Sequence, residues 1–160
     1  MLRCVIIKIC LLFLPLTVHS LELDVPEYIK DEYECMVRNL HHEARGEGNR
    51  GMIAVANVVM NRVNHPNFPD TICGVIYQRL QFSWVHQVKP VPLEKASDKA
   101  KFIAYEAIVN TTLKDNTDGA LFFHARSVNP RWNNHVVTKR LGNHIFYRFR
   151  GNRMRDNNSP

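Results

Sequence analysis

Long hydrophobic runs are scarce in this chain of 160 residues. The longest, Ile9 to Leu16, is broken by Pro15. It falls short of the roughly 20 apolar residues that a bilayer-spanning helix needs. Glycine and proline are also few, at seven and eight, which excludes collagen-like and Pro/Gly-rich disordered chains. Internal repeats, low-complexity tracts and linkers are missing. No basic stripe alternates with stacking aromatics, so nucleic acid is not an expected partner. The length suits one core and is too short for two ordinary domains.

Acidic residues are missing from the first twenty positions, MLRCVIIKICLLFLPLTVHS, which carry Arg3 and Lys8 ahead of the apolar stretch. This pattern is that of a cleaved secretory signal over residues 1–20. The expected product is an exported protein of residues 21–160, located in the periplasm, wall or medium, that meets the membrane only during export. Residues 151–160, GNRMRDNNSP, read as a disordered tail. The chain has 21 Lys and Arg against 15 Asp and Glu, a formal charge of +6, and loss of Arg3 and Lys8 leaves +4. A moderate positive charge favours dwelling on anionic envelope polymers. Of four cysteines, Cys4 and Cys10 go with the signal. Cys35 and Cys73 remain, and the sequence leaves open whether they form a bridge or two buried thiols.

What the chain does have is helical periodicity. Pro26 to Arg45 places Ile29, Tyr33, Met36, Val37, Leu40 and Ala44 at three- and four-residue steps. Gly46 and Gly48 end that helix. Gly51 to Val63 is apolar almost all round, the mark of a central helix, with Asn57 and Asn61 four apart on one side. Asp70 or Thr71 caps a short helix through Tyr77. Residues 81–92 show no period and read as a loop, and Leu93 to Val109 is a further helix. Residues 120–125 and 144–149 are strand-like and form a small β-hairpin. The expected fold class is α+β, predominantly helical, in a single domain.

The segment most charged with chemistry is His41-His42-Glu43-Ala44-Arg45-Gly46-Glu47. At about 100° per residue, Glu43 falls beside Met36 and Leu40 and points towards the core side. His42 points away and His41 lies on the flank. A carboxyl held against apolar walls keeps its proton to higher pH, as the general acid of a glycosidase must. The competing reading is a structural Glu bonded to backbone, Asn57 or Asn61. A metal site fits poorly, because adjacent helical residues do not converge and the position four after His42 is Gly46. His124 and His144 could still join a zinc ion, but no metal or cofactor is expected. Ser83 lacks the strand–turn–helix setting of a hydrolase nucleophile. Gln81, Phe82, Ser83 and Trp84 instead suit a sugar, with flat rings and directional polar groups side by side. Trp84 is the aromatic expected to be exposed, and Phe122, Phe123 and His124 could supply another wall.

Taken together, several ordered segments resemble the SleB-type cell wall hydrolase family. They are residues 40–47 (LHHEARGE), 51–63 (GMIAVANVVMNRV), 68–78 (FPDTICGVIYQ), 81–85 (QFSWV), 119–125 (GALFFHA) and 142–147 (GNHIFY). The resemblance covers roughly residues 35–148. It implies a lysozyme-like, lytic transglycosylase-like fold acting on the MurNAc–GlcNAc bond of peptidoglycan, with Glu43 as the catalytic acid. It further implies a one-acid mechanism giving a 1,6-anhydro sugar, in wall remodelling or as a phage endolysin. Gln81, Ser83, Trp84, Tyr77, Phe123 and His124 are the expected substrate-binding residues, in a monomer that partners glycan strands. A hydrolytic muramidase needs a second carboxylate, for which Glu47, Asp70 and Asp118 are candidates. A zinc-dependent amidase and a non-catalytic wall-binding module are the alternatives from other classes.

Overall fold

The computed structural model describes residues 23–79 and 81–151. The expected signal at 1–20 and all but the first residue of the expected tail lie outside the described residues. A 3-10 turn, Glu27–Ile29, leads into α1 (Lys30–Ala44), followed by α2 (Asn49–Val63) and α3 (Ile72–Tyr77). Next come α4 (Trp84–Gln87), a second 3-10 turn at Leu93–Lys95, and α5 (Asp98–Ile108). Three strands close the fold: β1 (Phe122–Ala125), β2 (His135–Leu141) and β3 (His144–Phe149).

The core lies where α1, α2, α3 and α5 meet. Met36, Val37 and Leu40 of α1 and Met52, Val55 and Val59 of α2 are completely buried in it. From Gly51 onward α2 is buried on nearly every side, and its polar residues there, Asn57, Asn61 and Arg62, are buried too. The two amides have a specific use. Asn57 donates to Lys114 O and Asn116 Oδ1, and Asn61 donates to Asp115 Oδ2, Thr117 Oγ1 and Ala120 O. Both are therefore committed to the 114–120 turn rather than to Glu43.

Cys35 and Cys73 form a disulfide that ties α1 to α3. Thr71 caps α3 by accepting from Gly74 N. The helix expected over 93–109 is two pieces. Ala96 and Ser97 are extended, Ser97 Oγ accepts from Ala100 N as the cap of α5, and Ser97 N donates to His41 Nδ1. Similarly, the first helix begins only at Lys30, since Ile29 has a non-helical φ of −119°.

The sheet has the order β1-β3-β2, with both pairs antiparallel. The expected partners, 120–125 and 144–149, do pair, with Phe122 opposite Tyr147 and His124 opposite Ile145. They do not form the hairpin, however. The hairpin joins β2 to β3 through Gly142 at φ +55°, and the sequence reading had not anticipated β2. An irregular register between Val137 and Lys139 disturbs the alternation that would mark β2 in the sequence.

Candidate active site

α1 ends one residue past Glu43, and Glu47 N closes the turn on Ala44 O. With Leu40 and Met36 fully buried on the same face, the Glu43 carboxyl is carried to the edge of the core. There it lines a cleft of about 480 Å³ with Arg62, Gln81, Phe82, Ser83, His86, Phe123, His124 and His144. Burial raises the pKa of Glu43 above the ordinary carboxylate value. Among the described residues, its carboxyl has no hydrogen-bond or ion-pair partner. A half-buried, unpaired carboxyl is suited to hold a proton and give it to a ligand.

Four of the expected binding residues, Gln81, Ser83, Phe123 and His124, meet Glu43 in this cleft. Trp84 and Tyr77 do not line it. Trp84 is 5% exposed rather than open, because its Nε1 donates to Asn39 Oδ1 at 3.0 Å. Its indole also stacks on His42, with centroids 4.5 Å apart. Trp84 therefore anchors the 81–87 segment from inside and offers no sugar-binding face. Tyr77 is exposed and meets the Trp84 ring at an edge, 6.2 Å between centroids. His42, expected to point away, is half-buried against Trp84, and burial lowers its pKa.

Among the described residues, Glu43 is the only carboxylate lining the cleft. Glu47 is buried elsewhere: its Oε2 accepts from Asn143 N at 2.9 Å, and its Oε1 lies 3.7 Å from His144 Nδ1. It clasps the α1–α2 turn to the β2–β3 turn. Asp70 and Asp118 are exposed. No group of three His, Cys, Asp or Glu among the described residues could hold a metal ion.

The sequence reading missed Arg62. It is 4% exposed, its Nε donates to Leu121 O at 2.7 Å, and its guanidinium lies within 5.2 to 5.7 Å of the Phe68, Phe82 and Phe122 rings. Burial lowers its pKa to about 10. Its position as a cation following the apolar run of α2 was the available signal. On the other wall, His124 is fixed at both nitrogens. Nδ1 lies 2.8 Å from Ala125 O, and Nε2 lies 2.7 Å from Tyr147 Oη. A larger cavity of about 1240 Å³ lies around Tyr33, Leu93 and Phe102 and contains no member of the Glu43 cluster.

A family model described as Cell Wall Hydrolase matches residues 46–147, a span that starts three residues after Glu43. Spore cortex-lytic enzymes of Halalkalibacterium halodurans and Oceanobacillus iheyensis are 32% and 34% identical to this chain over 74% and 78% of its length. The chain spans 35% and 44% of the length of those two relatives. Among solved structures, the catalytic domain of the Bacillus cereus SleB protein aligns with a TM-score of 0.60 at 29% identity, covering 74% of this chain and 90% of that one. The catalytic domain of the germination-specific lytic transglycosylase SleB from Bacillus anthracis aligns at 0.63 and 29% identity, covering 78% and 100%. The predominantly helical α+β, lysozyme-like fold expected from the sequence is thus the fold observed. A match over most of the chain in sequence and in structure makes this protein a member of the cell wall hydrolase family.

Proposed function

We propose that this chain cleaves the MurNAc–GlcNAc glycosidic bond of peptidoglycan as a lytic transglycosylase, outside the membrane, with Glu43 as acid and then base. The observation that carries this reading is a cleft whose one lining carboxylate, among the described residues, is raised in pKa by burial. Protonated Glu43 gives its proton to the glycosidic oxygen, and the bond from C1 to that oxygen breaks. The resulting carboxylate takes the proton of the same sugar's C6 hydroxyl, and O6 closes on C1 to give the 1,6-anhydro ring. Proton, leaving group and charge balance without water. In this reading Gln81 and Ser83, which line the cleft, hydrogen-bond the sugars, and Phe123 and the His124 ring, whose nitrogens are held by Ala125 O and Tyr147 Oη, form its wall.

Hydrolysis by a muramidase would require a second carboxylate across the scissile bond. Glu47, the nearest candidate in sequence, is spent on Asn143 N. The test is mass spectrometry of fragments released from purified peptidoglycan. The expected fragments are one water lighter than hydrolysis products, their release is unaffected by a chelator, and it is lost in Glu43→Gln. Ordinary reducing ends would overturn the transglycosylase reading, and activity in Glu43→Gln would overturn the role of Glu43.

A further inference from the structure

The wall of the cleft made by His124 does not end at the cleft. Trp132, in the segment between β1 and β2, stands with its ring centroid 5.6 Å from His124 and 5.3 Å from Tyr147, meeting both edge-on. His135 lies 5.0 Å and Phe122 5.9 Å from it. Four neighbouring rings fix the orientation of the indole, yet Trp132 remains 38% exposed. Of the two tryptophans in the chain, Trp84 is used internally and Trp132 is left open to solvent. A large aromatic that is held rigid and left uncovered loses little freedom when a ligand covers it.

Charge supplies a second, independent observation. Residues 119–151 contain Arg126, Arg131, Lys139, Arg140, Arg148 and Arg150 and no Asp or Glu. Most acids of the described chain therefore lie in the helical half, and the sheet half presents a purely cationic set of side chains. A glycan strand bearing acidic stem peptides matches both features: pyranose C–H faces pack on an indole, and the stem carboxylates meet the cations.

We propose that Trp132 is a stacking platform for a further sugar of the glycan strand, on the His124 side of the cleft, with the basic sheet half receiving the acidic stem peptides. This rests on the reading of the Glu43 cleft as a peptidoglycan-cleaving site. Trp132 extends that site along the polymer and selects long, peptide-bearing strands over short ones.

The experiment uses the full chain carrying Glu43→Gln, so that substrate is bound without turnover, and soluble peptidoglycan fragments of several disaccharide units as the probe. Binding should shift the tryptophan emission to shorter wavelength. Trp132→Phe should abolish that shift, because Trp84 is already buried. Trp132→Ala should weaken binding roughly five- to tenfold, with Trp132→Phe in between. The Phe variant keeps a ring for the neighbours to pack on, and its melting curve separates lost binding from lost fold. Unchanged affinity in both variants, with no emission shift in the parent, would overturn the platform and leave the cleft reading standing. Binding that disappears at high salt equally with and without Trp132 would assign recognition to charge alone, which also overturns it. Failure of the parent to bind at all, together with no fragment release by the wild type, would overturn the function reading, and the platform would fall with it.

Discussion

Glu47 and Gly142 fit together so closely that a methyl group on Gly142 would overlap Glu47 Oε2. The two are 95 positions apart in sequence, and their contact fixes the β2–β3 turn against the end of α1. Gly142 also sits at φ +55°, which side chains larger than hydrogen adopt at a cost. Gly142→Ala should therefore lower stability by about 1–3 kcal/mol in urea unfolding. Because the overlap and the lost clasp involve the same atoms, Glu47→Ala combined with Gly142→Ala should cost less than the two single changes added. Strict additivity would show that the contact carries no energy.

The half-buried carboxyl of Glu43 makes stability depend on pH with a definite sign. Below the ordinary value of 4.5, Glu43 is protonated in both the folded and the unfolded chain. As pH rises, the unfolded chain ionises first and the folded chain resists, so stability is lost up to the raised folded pKa. Glu43→Gln removes this loss. Its melting temperature should exceed that of the wild type at neutral pH, and the difference should vanish below the ordinary carboxylate value. A gap independent of pH would show that Glu43 is not destabilised by ionisation.

The Cys35–Cys73 bridge closes a loop with a sequence separation of 38. Restricting the unfolded chain to that extent contributes roughly 4 kcal/mol. Cys35→Ala with Cys73→Ala should lower stability by an amount of that order, measured by denaturant unfolding with and without reductant. The wild type should respond to reductant and the double variant should not.

Arg62 joins the two walls of the cleft, bonding Leu121 O at the start of the sheet and lying near Phe82 in the 81–87 segment. Lysine cannot repeat both contacts, since it lacks the planar fork and the Nε donor. Arg62→Lys should cost about 1–3 kcal/mol for the buried carbonyl left unpaired. Cleavage of peptidoglycan should fall with it at temperatures where the variant is fully folded. Full activity in the folded variant would show that Arg62 does not set the cleft.

The helical half of the fold was legible because its information is local. The apolar steps of α1 and α2 and the Thr71 cap are written within a few residues of where they act, whereas the break before α5 at Ser97 was read as continuous helix. The same local wheel put Glu43 at the edge of the core. What was not legible depends on partners distant in sequence. Trp84 looked exposed because the acceptor for its indole, Asn39, lies 45 residues earlier. Glu47 looked available because Asn143 N lies 96 residues later. β2 was hidden by its irregular register, and the burial of Arg62 by a partner, Leu121 O, that lies 59 residues later.

The Asn57 and Asn61 amides give the molecule a property that neither half would have alone. They sit one turn apart on α2 and hold the 114–120 turn from which the chain enters the sheet. The turn cannot leave without exposing several hydrogen-bonding groups at once, and α2 cannot fray at those positions while the turn is seated. Helix and sheet are thereby fastened into one cooperative unit of opening. Glu43, on the helix packed beside α2, and His124, on β1, lie 81 positions apart in sequence, and this fastening links the two elements that carry them.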